Sequence, residues 1–178
     1  FDLGEATVDR PRMGISRDGR TIAVLVTDST GRNVVLLRTL GSTTVAPVAG
    51  TEGAHSVAIS PDGRWLAFEA PGGSIRRLPV QGGPSTLVAE RSFNSMVAVS
   101  DDGWVYYSSG TGAAAGLWRA REAGGGAEQL TRVDTARREF AHWAAHPLPG
   151  GRVVLFGSYA VPAGRARISA LDVRTRRT

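Results

Sequence analysis

The sequence predicts an all-β protein, a β-propeller of about four blades, each an antiparallel four-stranded sheet, and three observations carry that prediction. One short phrase recurs as Ser16-Arg17-Asp18-Gly19, Ser60-Pro61-Asp62-Gly63 and Ser100-Asp101-Asp102-Gly103. Counted at Asp18, Asp62 and Asp102, the copies lie 44 and 40 residues apart, and a degenerate fourth, Leu148-Pro149-Gly150-Gly151, follows 48 residues later at Gly150. Each copy sits between two short apolar runs. A period in the forties with strands on both sides of every turn is the repeat of propeller blades.

The turn has local causes. Pro presets φ at the first corner position, Asp accepts from nearby backbone amides, and Gly takes the left-handed conformation that closes a tight hairpin, which makes Asp18, Gly19, Asp62, Gly63, Asp102, Gly103, Gly150 and Gly151 the structural turn residues. The first strand of each repeat precedes the turn, at 13–16, 57–60, 96–100 and 144–148, and the second follows it, at 21–26, 65–70, 105–108 and 153–156. Third strands read at 34–38, 75–80, 117–121 and 168–173. Only three repeats continue to a fourth, at 43–48, 85–89 and 127–131. Gly-rich turns such as Gln81-Gly82-Gly83-Pro84 and Ala123-Gly124-Gly125-Gly126 separate these runs, and Gly or Pro cuts nearly every apolar stretch before three helical turns form. Residues 131–145 are the one segment with room for a short helix. The chain thus reads as a single propeller domain or fragment, 1–178, with repeats at approximately 10–50, 51–91, 92–133 and 134–178.

Composition fits a chain able to bury a core: 178 residues, 42% hydrophobic and 21% charged, with 23 Gly and 9 Pro to supply tight turns. No apolar run approaches the roughly 18 residues of a membrane-spanning helix, so this segment is not expected to insert into a membrane. Zero Cys excludes disulfides, thiolate chemistry and Cys-based zinc sites. All 21 basic residues are Arg, and the formal charge of +5 leans on Arg165, Arg167, Arg174, Arg176 and Arg177. No aromatic residues interleave with that cluster, so no nucleic-acid partner is predicted.

Ser60-Pro61-Asp62-Gly63-Arg64-Trp65-Leu66-Ala67-Phe68 resembles the signature of the WD40-like, TolB-type β-propeller repeat, with the other copies as weaker versions. In order along the chain, Gly50-Thr51-Glu52-Gly53-Ala54, then Ala115-Gly116-Leu117-Trp118-Arg119, Gln129-Leu130-Thr131, and finally Glu139, His142 and Val154-Leu155-Phe156 look most like the propeller that follows the transmembrane helix of many bacterial serine/threonine protein kinases. The chain departs from the pattern at Arg17 and Asp101, where Pro is usual, and at Gly150, where Asp is usual. That resemblance implies a complete ring of six or seven blades, of which this chain holds four. The faces around Ile22, Val24 and Val26 are then expected to lose part of their cover. A closed four-bladed ring, in which residues 1–3 add a strand beside 167–173, is the rival expectation.

Searches for catalytic constellations return little. There is no Gly-x-Ser-x-Gly elbow, and without Lys there is neither a P-loop nor a kinase lysine. Residues 110–116 (Gly-Thr-Gly-Ala-Ala-Ala-Gly) mimic a dinucleotide loop, but the last Gly comes one residue late and a strand follows. His142 and His146 would share a face only on a helix, which Pro147 disfavours, and no third ligand lies at motif spacing. Asp18, Asp62 and Asp102 are accounted for by turn hydrogen bonds. No catalytic residue, metal or cofactor is predicted.

Function is therefore expected from a surface. Loops entering the innermost strands crowd one face of a propeller, where partners bind. Here they span 51–55, 90–94 and 135–142, and their polar members Glu52, His55, Glu90, Arg91, Asn94, Arg138, Glu139 and His142 are the candidate contacts for a protein, peptide or small ligand. The resemblance implies a noncatalytic interaction or sensory module on the periplasmic or extracellular side of a bacterial membrane. The alternative from another class is the substrate-gating propeller of a prolyl-oligopeptidase-like or other peptidase.

Overall fold

In the computed structural model, which describes residues 12–90, 92, 96–109, 114–161 and 165–178, the chain forms four antiparallel meanders in sequence. Sheet one is β1 (Met13–Ile15), β2 (Thr21–Thr27), β3 (Asn33–Thr39) and β4 (Ala46–Pro47). Sheet two is β5 (Ser56–Ile59), β6 (Trp65–Glu69), β7 (Ile75–Pro79) and β8 (Thr86–Ala89). Sheet three comprises β9 (Ala98–Val99), β10 (Trp104–Ser109), β11 (Gly116–Arg121) and β12 (Ala127–Gln129). Sheet four has three strands, β13 (Glu139–Pro147), β14 (Val153–Ala160) and β15 (Arg165–Asp172). The three strands expected for the last repeat are the three that form its sheet among the described residues. The expected closing strand at residues 1–3 lies outside the described residues.

Successive sheets stack face to face, and the first strands lie against one another in series, β1 on β5, β5 on β9 and β9 on β13. Alternation along a strand explains how one strand serves two neighbours: Ala23 and Leu25 of β2 pack toward sheet two, while Val24 and Val26 point the other way. β5 is buried at all four positions because it has a sheet on either side. Three cores result. Leu25 and Val35 meet Ile59 and Phe68 between sheets one and two; Ala67 and Val88 meet Val105 and Tyr107 between two and three; Tyr106 and Leu117 meet Phe156 and Leu171 between three and four. Gly14 allows the close approach of sheets one and two, since a Cβ there would stand 2.8 Å from the Ile59 backbone nitrogen.

The repeated turns have the predicted chemistry. Ser16 Oγ donates to Asp18 Oδ1 and Ser60 Oγ to Asp62 Oδ1, both at 2.6 Å, and the same bond joins Ser100 and Asp102. The Asp oxygens also accept from the Arg20 and Arg64 amides, and the following Gly19, Gly63 and Gly103 have φ of 70°, 71° and 78°. Gly151 (φ 68°) occupies the same place in the fourth turn. Hydrogen bonds from Ser16 and the Arg20 amide hold the Asp18 carboxyl below its ordinary value.

Two expectations are corrected. Residues 131–145 form no α-helix; a single 3-10 turn at Thr135–Arg137 leads into β13, which starts at Glu139 rather than 144 because it pairs with eight-residue β14 along its length. A bulge between Trp143 and His146, with Ala144 at φ 57°, lets the pairing resume past the kink. Val24 and Val26, whose face was expected to lose part of its cover, are buried in a small cluster with Val34, and Ile22 and Leu36 pack against it partly buried. In the first and last repeats, Met13, Ile15, Leu40, Phe140, Val161 and Ile168 face solvent.

Candidate functional site

Antiparallel order places the β4–β5, β8–β9 and β12–β13 loops at the end of the sheets opposite the repeated turns. Two of them are tied to the β2–β3 and β6–β7 turns at that end: Asn33 Nδ2 donates to the Ala54 carbonyl at 2.9 Å, and the Ser92 hydroxyl donates to the Gly73 carbonyl, also at 2.9 Å.

Two of these loops are anchored by the same device. In β4–β5, Thr51 Oγ1 accepts from the Val35 amide (3.1 Å) and donates to the Val48 carbonyl (2.7 Å). In β12–β13, Thr131 Oγ1 accepts from the Leu117 amide (2.9 Å) but lies 2.7 Å from His142 Nδ1. His142 Nε2 lies 3.2 Å from Glu139 Oε2. The arrangement that satisfies every partner has the Thr131 hydroxyl donating to Nδ1 and the ring donating from Nε2 to the carboxylate.

Glu139 is the hub. Its Oε2 also accepts from the Asp134 amide (2.9 Å), and its Oε1 accepts from Arg167 Nη2 of β15 (3.2 Å). Burial pushes the Glu139 carboxyl up, but the Asp134 amide, the His142 ring and Arg167 together outweigh it and hold the carboxyl below its ordinary value. The Glu139 and His142 side chains are 8% and 5% exposed. Ser108 Oγ of β10 donates to the His142 carbonyl at 2.9 Å, so the group ties sheet three to sheet four. Hydroxyl, imidazole and carboxylate follow the order of an acyl-transfer triad. The hydroxyl, however, is buried and already accepts from Leu117, so the geometry serves to fix the β12–β13 loop upon β11 and β13.

The candidates divide accordingly. Glu139 and His142 are brought together, on the strand β13 instead of in a loop, because cross-strand pairing with β14 extends through both. Arg138 precedes them, exposed, at φ 58°. Glu52 is exposed, and its carboxylate caps the Gly50 amide of its own loop. His55 is exposed, with its carbonyl accepting from Arg12. Glu90 is exposed beside sheet three. Arg91 and Asn94 lie outside the described residues, as does most of the 110–116 loop.

At the opposite end, residues not singled out as contacts form a second constellation. The Arg17 amide donates to the Pro61 carbonyl (3.0 Å), linking the first two turns. The Arg17 guanidinium pairs with the Asp101 carboxylate, which also accepts from the Gly150 amide at 3.3 Å. One ion pair thus joins turns one and three, and it is made by the two residues that replace proline in the repeat. Opposite charge at equivalent positions was the signal. Among the described residues, no three His, Asp or Glu side chains are grouped to hold a metal, and no helix is long and apolar enough to cross a membrane.

Four meanders stacked in series, with their first strands adjacent, define a β-propeller arrangement. The fold is that of TolB-type propellers: the chain superposes on a TolB-type protein of Agrobacterium tumefaciens with a TM-score of 0.77 at 23% identity, over 96% of this chain and 64% of that one. It also superposes on TolB of Acinetobacter baumannii with a TM-score of 0.76 at 15% identity, over 92% of this chain and 41% of that one. In sequence it is 30% identical to an uncharacterised protein of Agrobacterium fabrum over 165 residues, 89% of this chain and 54% of the relative. The chain therefore spans about half the length of that curated relative. No protein-family model matches it.

Proposed function

We propose that this chain is a noncatalytic recognition module that meets its partner through the loop end of the propeller, as part of a larger bacterial signalling protein such as a serine/threonine kinase, on the extracytoplasmic side of the membrane. The observation that carries the reading is the division of labour at that end. Thr51, Thr131, His142 and Glu139 are spent on internal hydrogen bonds that fix the loops, while Glu52, His55, Glu90 and Arg138 stand exposed on them. A stiff base with chemically varied tips suits recognition. Arg91 and Asn94 belong to the same proposed surface.

The test places a photo-crosslinking residue at 52, 55 or 138 of the full-length protein in its own cells, with positions 20 and 64 of the repeated turns as controls. Discrete adducts from the loop end alone support the reading; adducts from the turn end alone, or from neither, overturn it. Location has a direct readout, because the chain has no Cys. An Arg138→Cys variant labelled by a membrane-impermeant maleimide on intact spheroplasts supports the extracytoplasmic placement, and protection until lysis refutes it. The flanking gene decides the wider role: kinase motifs and one membrane span upstream support signalling, whereas a nucleophile elbow downstream replaces it with substrate gating for a peptidase.

A further inference from the structure

Two of the inter-sheet interfaces close differently toward their outer rims. Over sheets three and four the C-terminal turn lies across the seam, with Arg176 bonding the Gln129 carbonyl at 2.7 Å and Glu128 at 2.6 Å. Between sheets two and three the seam stays open as a groove of about 720 Å³, within the roughly 300–1,000 Å³ of small-molecule sites. β8 forms one wall through Leu87, Val88 and Ala89; Tyr107 and Trp118 form the other; the Gly124–Gly126 turn closes one end.

Three features of this groove point to a ligand chemistry. The walls are apolar and aromatic, and Leu87 remains 43% exposed there. Tyr107 lines the groove and no hydrogen bond engages its hydroxyl among the described residues; the fully enclosed unpartnered polar atoms there are Ser56 Oγ and the Tyr106 hydroxyl, so the Tyr107 hydroxyl keeps a point of access from the groove. Burial alone pushes its pKa up to about 12, so it stays a neutral donor and acceptor. Glu90 is the one ionised group among the described lining residues, and it forms no ion pair there, in a chain whose formal charge is +5.

We propose that this groove binds an amphipathic cation, an aromatic or branched apolar body carrying an amine. The apolar body lies between Leu87 and Trp118, the Tyr107 hydroxyl meets a polar atom of the ligand, and Glu90 faces the amine. The groove shares Glu90 with the loop end proposed as the recognition surface, but small-molecule binding in it needs no macromolecular partner and is read separately.

Phenethylamine, with 2-phenylethanol and 3-phenylpropionate as neutral and anionic analogues, tests this by titration calorimetry and by the indole resonance of Trp118, whose Nε1 donates to the Ala114 carbonyl at 3.3 Å. The amine is expected to bind and to shift that resonance, several-fold more tightly than the alcohol, with the carboxylate weakest. Tyr107→Phe, which removes a hydroxyl without a hydrogen bond among the described residues, should weaken the amine about fivefold. Glu90→Gln should erase the preference for amine over alcohol. No binding at about 10 mM, equal binding of all three probes, or amine binding indifferent to both substitutions overturns the proposal.

Discussion

Replacing Thr131 by Val keeps its shape and removes its hydroxyl, which isolates the bond that distinguishes the β12–β13 loop from its β4–β5 counterpart. The Leu117 amide, in a fully buried residue, loses its acceptor, and His142 Nδ1 loses its partner. An unsatisfied buried donor costs about 1–3 kcal/mol and the second lost bond about 1 more, giving about 2–4 kcal/mol. Thr51→Val is the internal reference: it strands the Val35 amide in the same way and gives up a bond to the Val48 carbonyl, but that carbonyl keeps the Thr51 amide as donor, whereas Thr131→Val takes the Nδ1 partner of a buried histidine. With a urea dependence of about 2 kcal/mol per molar, Thr131→Val should lower the unfolding midpoint by about 1–2 M at unchanged slope, more than Thr51→Val does. A cycle with His142→Phe completes the test, and a coupling of about 1 kcal/mol between positions 131 and 142 is expected for a shared bond. Equal midpoints for the two Val variants together with an additive double mutant would refute the assignment.

Two further outcomes follow from the turns. Gly151→Ala combines a left-handed φ of 68° with a Cβ 2.7 Å from the Asp102 carboxylate, whereas Gly19→Ala, at φ 70°, meets nothing within 4 Å. The first should cost about 2–3 kcal/mol and the second about 1 kcal/mol, read as urea midpoints, and equal losses would contradict the packing of turn four on turn three. Asp172 is held down to about 2 by the Thr175 amide and Arg152, from an ordinary value of 3.8. A depressed folded value means the stabilisation is complete above pH 3.8 and is lost as the pH falls through 2, so hydrogen exchange across residues 173–177 should accelerate in that window, and Asp172→Asn should abolish the dependence.

What the sequence made legible was what is local. The Ser-x-Asp-Gly turns announce themselves because Ser, Asp and Gly bond within five residues of one another, and the strands flanking them follow from alternation. Glu139 and His142 were recognisable as a pair but were read as loop, because their strand character comes from β14, whose pairing with β13 no local propensity encodes. Arg167 reaches Glu139 from 28 residues away, and Arg17 reaches Asp101 from 84, so neither partner choice was visible in spacing. Tyr107 reads in the sequence as one more apolar strand residue; only the stacking of sheets two and three puts it on the wall of a groove.

The pair between Arg17 and Asp101 bears on how such an array can evolve. Repeat proteins grow and shrink by copying or deleting whole units, which is tolerated because each unit senses only its immediate neighbours. Here the first unit also senses the third. With side chains 56% and 25% exposed, the pair contributes at most about 1 kcal/mol, but it is geometrically exacting. Deleting the second unit or inserting another beside it would change the spacing on which the contact between the two charges depends, leaving each where proline serves the other copies. The middle unit is thereby held at its address, and the array is ordered as a specific series instead of a string of interchangeable parts.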